Sequence, residues 1–420
     1  MMYDQIVACY IPPETFISMI VNNYINWNLI KYATALSLLI LFNYFLWSIN
    51  SWQIIKFINL FIIFFTLIYF FLASEFKDYW YLKVIILLLI IICLGTPTTS
   101  IDSWFVYLFS GKVLFYESNL YVNYLDDNYL NVNNRPKLPA TLSATFAQLL
   151  GYWNEIFPKS TNVIIIFPPI IFLISFFKER ILILLWLFLM LFFSGKLFIN
   201  GMMDGIISLY FVSSVLITYK ISITNLLYDK KLLYFVMLLF FMILSLSKDE
   251  GTFMIFAILI SVIVKDLIYK KKLNYKILVI GAVSLCPIFF WKYTFATTHN
   301  KFGAWLLTED PISRISRIVN PEDLFNIFFY LVTNEKLVIS LIIFIFLAFK
   351  QFNNNRKLIF FISMNFILYF ILVIAGMLLA PHDVVQTLKA SSSRLFIPLV
   401  LMLSYFSVFL IKDNYPLEKT

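Results

Sequence analysis

Uninterrupted apolar segments, many of them nearly as long as a lipid bilayer is thick, recur along most of this 420-residue chain. A helix needs about 20 predominantly apolar residues to cross ~30 Å of hydrocarbon. Hydrophobic residues make up 61% of the chain and charged residues only 13%, which is too little charge to cover a water-soluble protein of this size. The sequence therefore predicts an all-α, polytopic integral membrane protein with a single transmembrane domain over residues 1–420.

The apolar segments predict about twelve transmembrane helices, several of which must extend into flanking residues. They lie near residues 29–48, 53–73, 81–98, 162–177, 181–195, 204–219, 232–247, 251–265, 276–293, 336–350, 357–379 and 394–411. Two connections are much longer than the others, residues 99–161 and residues 294–335. Both mix aromatic and charged residues in a way that is typical of helices lying along a membrane surface.

The distribution of Lys and Arg orients these helices. With the N-terminus in the cytoplasm, every cytoplasmic connection is basic, whereas the short outer connections hold only Lys56, Lys196 and Lys248. This asymmetry follows the positive-inside rule. Both termini are therefore predicted in the cytoplasm, and both long connections on the periplasmic side of a bacterial inner membrane. The net charge of +9 is explained by these loops, so we expect no nucleic-acid partner.

Charged residues cost roughly 2.5–3.5 kcal/mol at the centre of a transmembrane helix, so their placement is informative. Under this topology the unusual ones gather on the outer side, which favours an outward-facing cavity. They are Asp102, Lys112, Arg135, Lys137, Asp204, Lys248, Asp249, Glu250, His382, Asp383, Lys389 and Arg394. Taken singly, each also has a structural interpretation, such as a helix cap at Asp102 or a solvated turn at residues 248–251.

Five short motifs carry most of these polar residues. The first three are Asp102-Ser103-Trp104 with Ser110-Gly111-Lys112, Arg135-Pro136-Lys137-Leu138-Pro139-Ala140 with Gly151-Tyr152-Trp153-Asn154-Glu155, and Gly201-Met202-Met203-Asp204-Gly205. The last two are Ser247-Lys248-Asp249-Glu250-Gly251 and Ser393-Arg394-Leu395-Phe396-Ile397-Pro398. In content and order they resemble motifs of the GT-C superfamily of membrane glycosyltransferases, which use polyprenyl-phosphate-linked sugars as donors.

The resemblance implies a GT-C-like fold and transfer of a sugar to a hydroxyl of a glycolipid, polysaccharide or protein at the periplasmic face. Asp102 matches the carboxylate of the family's first outer loop and is the expected catalytic base. Arg394, Lys248 and Lys112 are expected to bind the donor phosphate. The acceptor side of the cavity is expected to contain Asp204, Glu250, Asp249 and Lys137. Some members use a divalent metal ion, but the sequence assigns no residues to one.

Elementary chemistry supports the same donor class. Nucleotide sugars are made in the cytoplasm, so an outer site must take its sugar from a carrier already in the bilayer. A lipid phosphate is a good leaving group that needs cationic stabilisation more than a strong general acid. One carboxylate to accept the acceptor's proton and Arg or Lys on the phosphate would suffice.

Three other functions remain open on the sequence alone. A transporter or flippase of lipid-linked saccharide more often places charges within spans and has paired halves. An O-antigen polymerase or ligase usually relies on arginines in one very large loop, whereas residues 294–335 contain only Arg314 and Arg317. The third is a membrane protein without catalytic activity.

Overall fold

The computed structural model describes residues 25–98, 107–120, 136–223, 227–269, 272–294, 320–378 and 394–412, together with residues 385 and 388. Within these residues the structure is α-helical and contains no strand. The first seven helices are α1 (Trp27–Ser48), α2 (Gln53–Leu72), α3 (Trp80–Gly95), α4 (Phe109–Glu117), α5 (Leu138–Leu150), α6 (Phe157–Ile174) and α7 (Arg180–Ile199). The next seven are α8 (Asp204–Ile223), α9 (Leu227–Ser247), α10 (Asp249–Ile268), α11 (Tyr275–Thr294), α12 (Pro321–Val332), α13 (Glu335–Leu378) and α14 (Ile397–Lys412).

Ten helices of the described residues are long and apolar enough to cross a membrane. They are α1, α2, α3 with the 3₁₀ turn that precedes it, α6 to α11, and α13. The structure is therefore that of a multi-pass, all-helical membrane protein. The finer number of about twelve stays a prediction, since it counts α14, which is shorter, and treats α13 as two spans.

Helix α13 covers both the tenth and the eleventh predicted spans. At 1.5 Å per residue its 44 residues would extend ~66 Å, about twice the thickness of the hydrocarbon core. Its backbone leaves helical geometry at Asn355, where φ is −122° and ψ is 23°. This kink lies between the two apolar segments that the sequence separates.

The centre of the bundle is formed by α6 and α8, most of whose residues are buried. Helix α8 packs against α6, α7, α9, α10 and α14. Helices that are apolar on all sides are typical of such a buried position. By contrast, α2, α3 and α11 are only 28–33% buried, and their exposed side chains include Phe65, Ile68, Leu87 and Phe290. Such a broad apolar surface is the kind that faces lipid.

Polar contacts mark two opposite ends of the bundle. At one end, which we call the Lys248 end, Lys248 binds Asp204 across the starts of α8 and α10. At the other, the Arg180 end, Arg180 binds Asp78, and the backbone N–H of Asn26 donates to the backbone carbonyl of Ser175. The Lys248 end groups connections that the sequence assigns to the outer side, but which side of the membrane each end faces stays a prediction.

Parts of both long connections are helical. In the first, α4 packs against α5, and Gly111 lies so close to the ring of Trp153 that a Cβ would come within 2.8 Å of it. The first two motifs of the sequence are therefore in contact. In the second, α12 exposes Phe325, Phe328 and Phe329. The aromatic and arginine residues at 305–317 lie outside the described residues.

Candidate functional site

Lys248 is the centre of a buried ion cluster. Its ammonium donates to Asp204 Oδ1 and to Glu250 Oε1, each at 2.9 Å. The side chain of Lys248 is 12% exposed and that of Asp204 only 4%. Asp204 is the first residue of α8, where the helix dipole favours a carboxylate. The cluster therefore ties the start of α8 to the start of α10.

The local sequence explains why Lys248 points into the bundle. One residue, Lys248 itself, separates α9 from α10, and its backbone is extended with φ −160° and ψ 150°. Gly251 packs directly on the carbonyl oxygen of Leu244, where any Cβ would overlap that oxygen. Glycine thus permits the close approach of α9 and α10 that this short connection requires.

Other side chains complete the cluster. Arg394, which precedes α14 and is half-buried, acts electrostatically on the carboxylate of Asp204. Tyr107 lies near Lys248, and Tyr369 of α13 lies near the carboxylates of both Asp204 and Glu250. The Tyr369 hydroxyl donates to the carbonyl of Leu395 at 3.3 Å, next to Arg394. Side chains from four separate parts of the chain therefore converge on Lys248.

The ammonium of Lys248 is held in its charged form. Burial favours the neutral amine, but the carboxylates of Asp204 and Glu250 outweigh it and raise the pKa of Lys248 well above its usual value. The cluster is also reachable from the surface, since the Glu250 side chain is 34% exposed. Among the described residues, Asp204 Oδ2 is buried and has no hydrogen-bond partner. A buried carboxylate oxygen in that condition is costly, so packing alone does not explain it.

A second group of charges adjoins the cluster. Asp249 accepts from Lys292, near the end of α11, at 2.8 Å. The neighbouring residue Trp291 is buried, and the Lys137 ammonium lies 5.1 Å from the centre of its ring. Lys137 is also buried, and it donates to the carbonyl of Leu120 at 3.4 Å. Burial lowers the pKa of Lys137 to about 8.

The sequence-predicted site residues therefore divide into three sets. The structure brings together four of them: Asp204, Lys248, Glu250 and Arg394. Two more lie beside this cluster. Asp249 binds Lys292, and Lys137 lies over the ring of Trp291. Lys112 lies half-buried in α4, and within the described part of the chain no ion pair links it to the cluster. Outside the described residues are Asp102, Arg135, His382, Asp383 and Lys389.

Sequence reasoning missed four residues of this region: Tyr107 as a neighbour of Lys248, Tyr369, Trp291 and Lys292. Lys292 carried a usable signal, because a lysine at the outer end of a predicted span opposes the positive-inside rule. No sequence signal identifies Tyr369, since a tyrosine within an apolar span is common. The sequence indicates Tyr107 only as one residue of an amphipathic segment.

Within the residues that the structure describes, no group of three or more His, Cys, Asp and Glu side chains could hold a metal ion. Two carboxylates of the site, Asp204 and Glu250, share the ammonium of Lys248. Comparisons with protein-family models, with curated proteins and with solved structures found no match to this chain.

Proposed function

We propose that this chain is a membrane glycosyltransferase of the GT-C type. It transfers a sugar from a polyprenyl-phosphate-linked donor to a hydroxyl of a glycolipid, polysaccharide or protein at the periplasmic face of a bacterial inner membrane. The observation that carries the proposal is the convergence of Asp204, Lys248, Glu250 and Arg394 at one end of a bundle of membrane-length helices. Ionisable groups at such a position are a functional-site hypothesis by default, because they are costly to bury there.

The proposed reaction is a single displacement at the anomeric carbon. The acceptor oxygen forms a bond to that carbon while the bond from the carbon to the phosphate oxygen breaks. The acceptor's proton passes to the carboxylate of Asp102, and polyprenyl phosphate leaves with the bonding electrons. Asp102 is five positions before Tyr107, a neighbour of Lys248, which supports its assignment to this site.

The contacts of Lys248 modify its proposed role. Its charge is already balanced by two carboxylates at 2.9 Å, so it is less available to a donor phosphate than the sequence implies. We assign it chiefly to holding Asp204 and Glu250 in place. Glu250, whose side chain is 34% exposed, can then accept hydrogen bonds from sugar hydroxyls. Arg394 is the stronger candidate for the phosphate, because its fixed fork of donors suits phosphate oxygens.

The test uses purified full-length protein in detergent with labelled polyprenyl-phosphate sugars and glycolipid or saccharide acceptors. Release of polyprenyl phosphate that depends on acceptor supports the proposal. Asp102→Asn should lower turnover by about 10²–10⁴-fold, the usual contribution of a general base, while donor binding persists. Asp126→Asn, another carboxylate of the same long connection, is the matched control and should keep its turnover.

Two results would contradict the proposal. Unchanged turnover in Asp102→Asn would remove Asp102 from the mechanism. Movement of intact lipid-linked saccharide across vesicles, without bond cleavage, would favour the transporter instead.

A further inference from the structure

Tyr369 of α13 contacts two other segments of the chain near the candidate site. Only 2% of the residue is exposed. Its ring lies 5.3 Å from the ring of Phe211 in α8, measured between ring centres. Its hydroxyl donates to the carbonyl of Leu395, just before α14, at 3.3 Å. These two contacts connect α13 both to α8 and to the residues that lead into α14.

Both segments carry charged residues of the ion cluster. Phe211 lies seven residues after Asp204 on α8, which is about two helical turns. Leu395 directly follows Arg394 in the chain. Tyr369 therefore bridges the helix that carries the carboxylate of Asp204 and the short segment that carries the guanidinium of Arg394.

A second aromatic contact holds the same segment. Phe370, the residue after Tyr369, lies 6.5 Å from the ring of Phe396, measured between ring centres. Helix α13 thus contacts both residues that follow Arg394, Leu395 through a hydrogen bond and Phe396 through aromatic packing. The backbone beside Arg394 is therefore held from α13.

A held backbone matters for an arginine that binds phosphate. The guanidinium must take one orientation, because its parallel hydrogen bonds to phosphate oxygens are directional. The long side chain loses rotamer freedom when it does so. If the backbone is already fixed, less remains to be ordered when the ligand binds, and the site is better preorganised.

We propose that Tyr369 is a positioning residue of the site: its hydroxyl fixes the backbone at Leu395 so that Arg394 presents its guanidinium to the donor phosphate beside Asp204. This inference rests on the proposed function, which assigns the phosphate to Arg394. Tyr369 acts through Arg394 and makes no contact of its own with the donor. Its ring supplies the fixed support, because it packs on α8.

The test is a binding experiment that needs neither sugar nor acceptor. Purified full-length protein is titrated with a short-chain polyprenyl phosphate and, separately, with the polyprenol that lacks the phosphate. The ratio of the two affinities measures recognition of the phosphate. Tyr369→Phe removes only the hydroxyl and should lower this ratio by about 2- to 10-fold, the worth of one neutral hydrogen bond. A general loss of packing would weaken binding of both lipids and leave the ratio unchanged.

A double-mutant cycle shows whether Tyr369 acts through Arg394. Arg394→Gln should lower the ratio by itself, and adding Tyr369→Phe to it should lower the ratio no further. An equal fall in both backgrounds would overturn the proposal, since Tyr369 would then act independently of Arg394. A ratio that Tyr369→Phe leaves unchanged in the wild-type background would overturn it as well, and so would a wild-type protein that binds the two lipids equally.

Tyr405→Phe is the matched control. Tyr405 lies in α14, is fully buried, and donates its hydroxyl to a backbone carbonyl, that of Leu173, at 3.0 Å. Leu173 is near the end of α6, at the Arg180 end of the bundle. Tyr405→Phe should therefore keep the wild-type ratio. A fall equal to that of Tyr369→Phe would contradict the proposal, because it would be the general effect of removing a buried tyrosine hydroxyl.

The two proposals fail in different ways. If phosphate binding shows the expected coupling between Tyr369 and Arg394 but no sugar is transferred, the positioning role stands and the glycosyltransferase assignment fails. If sugar is transferred and depends on Asp102, but Tyr369→Phe keeps the wild-type ratio, the transferase assignment stands and the positioning role fails.

Discussion

Two buried ion pairs of this protein differ in how the chain supplies their partners. Lys265 and Asp266 are adjacent near the end of α10, with 3.6 Å between Nζ and Oδ1. Lys265 also donates to Ser222 Oγ at 2.7 Å, and Asp266 Oδ2 accepts from the backbone amide of Asn274. Lys248 and Asp204 are 44 residues apart, and Asp204 Oδ2 has no partner within the described residues.

This difference identifies Lys265–Asp266 as a structural ion pair and Lys248–Asp204 as a candidate functional one. The oxygens of Asp266 are both used by neighbouring groups, so that pair fastens a connection to the bundle. The pair at Lys248 gathers charges from separate helices and leaves a carboxylate oxygen unsatisfied. Buried charges that are incompletely paired mark a candidate functional site.

The largest expected effect is that of Lys248→Met. It leaves Asp204 and Glu250 without their shared cation, which should cost about 3–5 kcal/mol of stability, the usual loss when one partner of a buried ion pair is removed. Denaturation in detergent measures the loss. Under the proposed function, sugar transfer should fall as well, because Asp204 and Glu250 are no longer held in position.

Lys265→Met is the control that sharpens the comparison. It too removes a buried ammonium, but Asp266 keeps the amide of Asn274. We expect lower stability with unchanged turnover per folded molecule. Loss of turnover in both variants, after correction for the folded fraction, would show that the two pairs do not differ in function.

Gly251→Ala should have the second-largest effect. The new Cβ overlaps the carbonyl oxygen of Leu244, so α9 and α10 must separate at Lys248. Overpacking of this kind typically costs about 1–3 kcal/mol. In α7, the Cβ of Gly195→Ala would meet nothing within 4 Å, so this control should be neutral or stabilising. Equal melting temperatures for the two variants would contradict the close approach at Gly251.

Much of the fold could be predicted from the sequence, because lipid allows few structures other than apolar helices. The ends of the predicted spans at 29–48, 53–73 and 204–219 lie within a few residues of α1, α2 and α8. The joining of two predicted spans in α13 could not be predicted, because the polar stretch around Asn355 resembles a loop in sequence.

The sequence predicts which residues belong to the site, but it does not predict which ion pairs they form. Alternating topology alone places Asp204, Lys248, Glu250 and Arg394 on one side. Which carboxylate neutralises which cation depends on how the helices pack, and helices that are apolar on every face give no amphipathic signal for that packing. For this reason the sequence assigned Lys248 to phosphate, without its two carboxylates, and did not identify Tyr369 or Lys292.

The smallest effect is expected at the Arg180 end. Arg180 and Asp78 are 3.0 Å apart, but their side chains are 64% and 80% exposed. Exposed pairs contribute about 0–1 kcal/mol, because water and salt screen the attraction and both side chains lose freedom. Arg180→Gln should therefore leave sugar transfer unchanged and shift the denaturation midpoint little. A loss comparable to that of Lys248→Met would break the comparison, since it would mean that burial and convergence do not distinguish the ion pairs that matter.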